Sequence, residues 1–151
     1  FDMLFGPTYK GIPLVTATAV ALAKSHKLNI PFAFDRKEAK HHGEGGRIVG
    51  APLKGRVLII DDVITAGTAI RHSAQMIREA GAEVAGVVLA LDRQEKGLDD
   101  QSATQELAQS LNAPVISIAS LDDVMTHLNN KSSSDRQFLK LKSYREAHGC
   151  Q

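Results

Sequence analysis

The sequence predicts an α/β domain with a mainly parallel β-sheet flanked by helices. Short runs of β-branched and apolar residues alternate with longer segments of helical period, as in a series of βαβ units. Most of the short runs are apolar without alternation, which is typical of strands covered on both faces. The chain has 151 residues, a length suited to one domain with its own core, so we expect a single domain over residues 1–151.

Five strands and five helices are predicted in order along the chain. The strands are Met3 to Phe5, Phe32 to Phe34, Val57 to Ile60, Val84 to Leu91 and Val115 to Ile118. The helices are Pro13 to Lys27, Thr68 to Ala80, Ala103 to Leu111, Leu121 to Asn129 and Asp135 to Ala147. Pro13 suits the first turn of a helix, and Gly81 suits the left-handed residue that ends one.

The segment from Arg36 to Gly50 interrupts this alternation. It has four glycines and many charges, but too few apolar residues to form a packed element. We therefore expect a long mobile loop over about residues 36–50. Loops of that length in compact domains are commonly functional.

Composition excludes several classes of protein. The formal net charge is +1, and the positive and negative residues are intermixed, so no basic face for nucleic acid is predicted. Cys150 is the single cysteine, which excludes an intrachain disulfide and favours a reducing cytoplasm. No segment approaches the run of about 20 apolar residues that a membrane helix needs. The chain opens on Phe1 without an initiator Met, and we interpret it as a fragment that lacks an N-terminal portion.

The strongest chemical signal is an apolar strand that ends in two carboxylates and continues through a small-residue turn, from Val57 to Ala69. Asp61 and Asp62 stand at the C-terminal end of the strand, where open α/β sheets bind ligands. The turn from Thr65 to Thr68 offers backbone N–H groups, two hydroxyls and a helix N-terminus, which suit a phosphate monoester. The carboxylates instead need hydroxyl groups or a metal. A sugar phosphate supplies both partners, and the alternative is that the two acids only cap the helix.

The stretch from Val57 to Ala69 resembles the phosphoribosyl pyrophosphate signature of the type I phosphoribosyltransferases. Three more stretches are similar to bacterial orotate phosphoribosyltransferases: Phe5 to Pro13, Asp35 to Gly46 and Ala90 to Glu95. The resemblance implies the type I phosphoribosyltransferase fold, a five-stranded, mainly parallel sheet with a small N-terminal hood that this chain largely lacks. Without the hood, we expect the chain to bind the donor but to turn over poorly.

The resemblance also implies a reaction and its participants. The phosphoribosyl group of phosphoribosyl pyrophosphate passes to orotate, giving orotidine 5′-monophosphate and pyrophosphate in pyrimidine biosynthesis. Mg²⁺ arrives with the donor rather than in a protein site, and the protein is a homodimer whose active-site loop is shared across the interface. The catalytic residues are Lys40, His42, Asp61 and Asp62, with Lys40 most important for the rate and His42 donating a proton or only a hydrogen bond.

The same resemblance assigns the binding residues. Arg93 and Thr65 bind orotate, Arg93 through the carboxylate. The residues at the donor are Tyr9, Lys10, Arg36, Lys37, Lys40, His42, Asp61, Asp62, Val63, Ile64, Thr65, Ala66, Gly67, Thr68 and Ala69.

Taken without the resemblance, several of these residues have ordinary alternatives. Lys10 alone suits a solvated surface amine, and the cations from Arg36 to His42 suit a solvated run of charge. Arg93 could pair with Asp92 or Glu95. The remaining histidines show no metal-ligand spacing, and we expect them at the surface: His26, His41, His72, His127 and His148.

Two other functions fit the motif of paired acids and a small-residue turn. A purine phosphoribosyltransferase shares the motif, but Arg93 and the Arg36 to Gly46 stretch disfavour it. A non-catalytic regulator that senses phosphoribosyl pyrophosphate needs neither Lys40 nor a basic closing loop, and this sequence has both.

Overall fold

A computed structural model of the chain describes residues 1–40, 46–65, 67–97, 101–131 and 136–150. The elements in chain order are β1 Met3–Gly6, α1 Gly11–His26, β2 Phe32–Lys40, β3 Gly46–Gly50, β4 Arg56–Asp61, α2 Thr68–Glu79, β5 Glu83–Asp92, α3 Ala103–Leu111, β6 Val115–Ser120, α4 Leu121–Lys131 and α5 Arg136–His148. The predicted helices and strands agree with these bounds to within two residues, except at the end of β2. Pro13 lies in the first turn of α1, and Gly81 follows α2 with a left-handed φ of 78°.

The strands form one sheet in the order β3-β2-β1-β4-β5-β6. The neighbouring pairs β2–β1, β1–β4, β4–β5 and β5–β6 are parallel. Strand β3 pairs antiparallel with β2. The predicted mainly parallel α/β sheet is therefore confirmed, with six strands in the described residues instead of five. Because β1 and β4 are neighbours at the centre, their C-terminal ends lie side by side at one edge of the sheet.

The β2–β3 hairpin corrects the prediction of an irregular loop from Arg36 to Gly50. In the hairpin Phe34 lies opposite Val49 and Asp35 lies opposite Ile48. Antiparallel pairing satisfies backbone groups in the regular part of the hairpin, the register shifts between Asp35 and Lys40, and Ile48 packs against the core, so strands form here although the segment has few apolar residues. That this segment is mobile stays a prediction, and residues 41–45 lie outside the described residues.

The two faces of the sheet bury separate apolar clusters. Alternate residues of β1 and β4 divide between them, as the strand period of two requires. On the face of α2 and α3, the cluster includes Met3, Phe5, Val57, Ile59, Ile70, Ile77, Val87, Leu89, Leu107 and Leu111. On the face of α1, it consists of Leu4, Val15, Ala19 and Ile60, with partly buried neighbours. Helices on both faces thus hold the central strands rigidly beneath the site.

Strand β6 departs from the expectation of strands covered on both faces. It lies at the edge of the sheet, and Ile116 and Ile118 are 60% and 80% exposed. Helix α1 packs mainly on β1, β2 and β4. No helix within the described ranges has the length and apolarity needed to cross a membrane.

The predicted surface position of the histidines holds for His26, His127 and His148, which are exposed. His72 on α2 is a correction, because it is only partly exposed and its Nε2 atom is buried without a hydrogen-bond partner among the described residues. His41 lies outside the described residues.

Candidate active site

Three of the predicted site segments begin where a parallel strand ends. The turn with Tyr9 and Lys10 follows β1, Asp61 ends β4 with Asp62 directly after it, and Arg93 follows β5. The backbone N–H of Leu91 donates to the carbonyl oxygen of Asp62 at 3.0 Å. The sheet therefore brings together residues that are far apart in the sequence, at the edge where α/β sheets bind ligands.

The turn between β1 and α1 depends on two glycines in close contact. A Cβ atom on Gly11 would lie 2.6 Å from Pro7 Cδ, and one on Gly6 would lie 2.6 Å from Val15 Cγ1. Real side-chain carbons cannot approach so closely, so only glycine permits this tight connection. The turn carries Tyr9, which is 64% exposed.

The same turn is fastened to β2 by a contact that the sequence did not indicate. The backbone N–H of Thr8 donates to Asp35 Oδ1 at 2.6 Å, and the Thr8 hydroxyl lies 2.6 Å from the Asp35 carbonyl oxygen. Asp35 is only 7% exposed. An acidic residue directly after the apolar run Phe32 to Phe34 was the one available signal, because strand ends hold site residues.

The predicted basic residues after Asp35 are only partly described. Arg36 is partly exposed, and its Nε atom is buried without a hydrogen-bond partner among the described residues. Lys37 and Lys40 are residues of strand β2. His42 lies outside the described residues.

Asp61 and Asp62 differ in their surroundings although they are neighbours. Asp61 is 8% exposed, and its Oδ1 atom accepts a hydrogen bond from the Asp62 N–H at 2.9 Å. Asp62 Oδ2 lies 2.5 Å from the ammonium nitrogen of Lys10, whose side chain is 73% exposed. The structure thus pairs two predicted site residues across the β1–β4 boundary.

These surroundings move the pKa values of the two carboxyl groups apart. Burial raises the pKa of Asp61 to about 6, and the charge of Asp62 adds to the rise. Burial is the largest single influence on Asp62 and would raise its pKa, but the hydrogen bond and charge of Lys10 together with backbone hydrogen bonds outweigh it and lower that pKa. The Asp62 carboxylate raises the pKa of Lys10 in return, chiefly through the same hydrogen bond. Asp61 is therefore the first of the pair to take up a proton in mild acid.

The turn into α2 leaves a helix N-terminus open to a ligand. Gly67 is the residue before the helix, with a left-handed φ of 67°, and no side chain caps the helix there. This excludes the alternative that Asp61 and Asp62 serve as caps of α2. A cleft of about 260 Å³ is lined by Asp61, Val63, Ile64, Thr65, Gly67, Thr68, Ala69 and Ile70. Ala66 lies outside the described residues.

Arg93 lies beside this cleft and is partly engaged. Its Nη2 atom lies 3.0 Å from Glu95 Oε2 and 3.4 Å from the carbonyl oxygen of Ile64. The Nε atom is buried and has no hydrogen-bond partner among the described residues. The pairing with Glu95 that spacing suggested is present, but a guanidinium has five N–H donors and can bind a second carboxylate.

The arrangement suits a ligand with separate phosphate, hydroxyl and carboxylate groups. The open N-terminus of α2 attracts an anion, the two acids accept hydrogen bonds, and Arg93 offers donors in a plane. The described residues contain no group of three or more His, Cys, Asp or Glu side chains that could hold a metal ion.

Residues 1–117 match the family model of the phosphoribosyl transferase domain. The orotate phosphoribosyltransferase of Alteromonas mediterranea is 54% identical over 149 residues, which are 99% of this chain and 70% of that protein. The enzyme of the same name from Shigella sonnei is also 54% identical over the same shares. Among solved structures, the orotate phosphoribosyltransferase of Francisella tularensis superposes with a TM-score of 0.79 at 43% identity, over 98% of this chain and 70% of that one.

Proposed function

The chain belongs to the orotate phosphoribosyltransferase family, and from this we propose that it transfers the phosphoribosyl group of phosphoribosyl pyrophosphate to orotate. The products are orotidine 5′-monophosphate and pyrophosphate, as in pyrimidine biosynthesis. The observation that carries the proposal is the meeting of paired acids, an open helix N-terminus and Arg93 at one edge of the sheet. Each of the three matches one part of the reactants.

The donor occupies the ends of β1 and β4 in this proposal. Asp61 and Asp62 accept hydrogen bonds from the ribose hydroxyls, because carboxylates repel phosphate but accept from hydroxyl groups. The 5′-phosphate binds in the cleft of Val63, Ile64 and the turn from Thr65 to Ala69, where N–H groups and the helix dipole favour an anion.

The pyrophosphate group binds Tyr9 and Lys10, together with the basic residues of the hairpin. The Lys10 ammonium stays largely exposed while it contacts Asp62, so part of it is available to a second anion. Arg36, Lys37, Lys40 and His42 complete the set that we assign to the leaving group. Cations aimed at the point where negative charge develops accelerate its departure, and we assign the largest effect to Lys40.

The reaction is a displacement at C1 of the ribose. A bond forms between C1 and a ring nitrogen of orotate while the bond from C1 to the pyrophosphate oxygen breaks, through an oxocarbenium-like state. The electron pair of the broken bond leaves with pyrophosphate, and the ring nitrogen gives up its proton, which the departing pyrophosphate can accept. Asp61 and Asp62 hold the ribose in line between the two groups, which is a positioning effect.

We propose that Mg²⁺ accompanies the donor. Mg²⁺ prefers hard oxygen ligands, keeps several waters and is usually held by substrate phosphates with one or two carboxylates, so Asp61 and Asp62 fit an ion that arrives on the donor. When bound, the ion would neutralise charge on the pyrophosphate.

Orotate binds between Thr65 and Arg93 in the proposal. The planar guanidinium can hold both oxygens of the orotate carboxylate, which uracil and the purines lack. The two relatives that match 99% of this chain are named orotate phosphoribosyltransferase. These names support orotate over a purine as the substrate. A homodimer and a cytoplasmic location complete the proposal, the location supported by a single cysteine, Cys150.

A panel of bases tests the proposal. Pyrophosphate release by the full-length protein is measured with orotate, uracil, adenine, guanine and xanthine in the presence of donor and Mg²⁺. In parallel, calorimetry measures binding of orotidine 5′-monophosphate and of uridine 5′-monophosphate, which does not require turnover. We expect release with orotate alone and tighter binding of the carboxylated nucleotide. Release with a purine and not with orotate would overturn the assignment.

A further inference from the structure

The segment after β5 is held by two parts of the chain that follow it. Gln94 has a left-handed φ of 53°. Its side chain exchanges two hydrogen bonds with Asp122 at the start of α4, at 2.9 Å to the Asp122 N–H and 3.0 Å to Asp122 Oδ2. The Gln94 N–H donates to Asp92 Oδ1 at 2.8 Å. This turn carries Arg93 on one side and Glu95 on the other.

The C-terminal residues fasten the same segment from the opposite direction. Glu95 and Gly149 form an antiparallel bridge. The Lys96 N–H donates to the His148 carbonyl oxygen at 2.9 Å, and the Cys150 N–H donates to the Gln94 carbonyl oxygen at 3.0 Å. The end of α5 is therefore joined by main-chain hydrogen bonds to the residues that follow Arg93.

Glu95 connects this C-terminal segment to the guanidinium itself. Its Oε2 atom pairs with Arg93 Nη2 at 3.0 Å, and its Oε1 atom accepts a hydrogen bond from the Tyr144 hydroxyl of α5. The Tyr144 ring packs in turn on the His148 ring, with centroids 4.9 Å apart. Both oxygens of the carboxylate are thus engaged, one on each side.

We propose that Glu95 and Tyr144 are positioning residues that orient Arg93 for a carboxylate, which makes α5 part of the specificity of the site. The inference rests on the proposed function, in which Arg93 binds the carboxylate of orotate. It adds that a helix remote in sequence sets how well that carboxylate is recognised.

The physical basis is the loss of freedom of a long side chain. Arg93 is 30% exposed, and an arginine in that position has many rotamers, each of which must be given up when a ligand binds. A carboxylate on Nη2 fixes the plane of the guanidinium beforehand. The Tyr144 hydroxyl holds Glu95 in the rotamer that contacts Arg93. The Arg93 side chain is therefore already ordered before orotate binds, and binding costs less conformational entropy.

Glu95 and Tyr144 would make the same contacts if they only attached α5 to the sheet. The test must therefore depend on the carboxylate of the ligand. Orotidine 5′-monophosphate carries it and uridine 5′-monophosphate does not, while the ribose and phosphate are the same. If Glu95 and Tyr144 act through Arg93, their loss weakens the first ligand and leaves the second unchanged. If they only hold the fold, both ligands weaken together.

The variants are Tyr144→Phe, which removes one hydroxyl, and Glu95→Ala, with Glu146→Gln as a control on the exposed side of the same helix. Binding of both nucleotides is measured by calorimetry, beside a thermal melt of each variant. We expect Tyr144→Phe to weaken the carboxylated nucleotide about fivefold and Glu95→Ala about tenfold, as for single hydrogen bonds to charged groups. Uridine 5′-monophosphate should change less than about twofold, and Glu146→Gln should change neither ligand.

The sign of the Glu95→Ala result is itself informative. Glu95 has the same charge as the ligand's carboxylate, so its removal would strengthen binding if charge alone mattered. Tighter or unchanged binding of orotidine 5′-monophosphate would overturn the inference, as would equal weakening of both nucleotides. If Tyr144→Phe unfolds the chain, Glu95→Ala decides by the same ratio.

Arg93→Lys separates this inference from the proposed function. If Arg93→Lys leaves the ratio of the two affinities unchanged, Arg93 does not bind the carboxylate and both proposals about it are wrong. If Arg93→Lys lowers the ratio and Tyr144→Phe does not, only the positioning role is wrong. In the double variant, Tyr144→Phe should add less than it does alone, because the residue through which it acts is already changed.

Discussion

Lys10 Nζ and Asp62 Oδ2 lie 2.5 Å apart, although 52 positions separate the two residues in the chain. In the proposed reaction Lys10 serves the leaving pyrophosphate and Asp62 serves the ribose. The ion pair therefore joins the residue assigned to pyrophosphate with the residue assigned to ribose, and the bond between those two groups is the one that breaks. An arriving donor must share or replace this contact. Before the donor binds, the charge of each residue is already compensated by the other.

The paired acids should be needed for the rate and not for the fold. We expect Asp61→Asn and Asp62→Asn each to lower turnover by at least about a hundredfold, because each removes a charged acceptor from the ribose. Neither change should lower the thermal melt through a lost helix cap, since no side chain caps α2, and Asp61→Asn should raise it at neutral pH, where the buried carboxylate of the parent is ionised. Glu79→Gln, an exposed change on α2, is the matched control. A large loss of stability with near-normal turnover would assign the acids a structural role instead.

The titration of Asp61 should give two opposite dependences on pH. Its pKa is raised to about 6, so between about pH 4 and 6 the folded state holds a proton that the unfolded state has released. Stability from this group therefore falls as pH rises through that window, by at most about 3 kcal/mol, with less expected where solvent screens the group. Binding of the donor should instead improve as pH rises through 6, since the ionised carboxylate accepts from ribose.

Asp61→Asn should remove both dependences. Chemical denaturation and donor calorimetry from pH 4.5 to 7.5 would measure them, with the Asp61 carboxyl signal followed by NMR. Asp62, whose pKa is lowered, contributes in a different window: its stabilisation is present above about pH 4 and is lost as pH falls below that value. An Asp61 signal that titrates near pH 4 would contradict the assignment.

Replacing Arg93 by Lys should separate the two substrates. A point charge takes the place of a planar pair of donors, so the orotate requirement should rise about tenfold or more while the donor requirement changes little. Arg78→Lys, on α2 and bonded to the carbonyl oxygen of Leu111, tests whether any Arg-to-Lys change has this effect. Initial rates with each substrate varied in turn would show it. An equal rise in both KM values would count against a carboxylate site.

Lys40 should act in the active site of the partner subunit of the proposed homodimer. From Phe34, which pairs with Gly6 at the end of β1, strand β2 continues to Lys40, a further extension of roughly 20 Å at the usual rise per residue. This reach is long enough to leave the site of its own subunit. The sequence resemblance implies that the hairpin is shared between subunits.

Subunit mixing would measure this. A Lys40→Ala chain and a chain with Asp61→Asn and Asp62→Asn should each be nearly inactive. In random pairing half of the dimers are mixed, and one of their two sites then has an intact pocket and an intact hairpin, so about a quarter of the parent activity should return. No recovery, in a mixture shown to have exchanged subunits, would mean that Lys40 serves its own chain.

The sequence predicted the elements whose stability is local. Gly81 ended α2 as expected, and the apolar runs of β1 and β4 became central strands, because period and turn residues are properties of neighbouring positions. The paired acids were recognisable for the same reason. They follow directly on their strand, and the turn that binds phosphate follows directly on them.

What the sequence did not predict depends on partners distant in the chain. The β2–β3 hairpin forms because two short segments pair with each other and Ile48 packs against the core, and neither contact is visible in a local pattern. The hydrogen bonds from Thr8 to Asp35 and from Tyr144 to Glu95 join residues 27 and 49 positions apart. Each partner alone is an unremarkable polar residue.

The parallel pairing of β1 with β4, in which Met3 lies opposite Val57, has a consequence for folding kinetics. Parallel neighbours cannot form through a short hairpin, so a long loop must close before either strand end has its partner. The donor pocket exists only after that closure, so folding intermediates that lack the pocket cannot bind the donor. Phosphoribosyl pyrophosphate should therefore leave the refolding rate nearly unchanged and slow unfolding instead, a contribution of about 2.7 kcal/mol at a hundred times Kd appearing almost wholly in the unfolding limb.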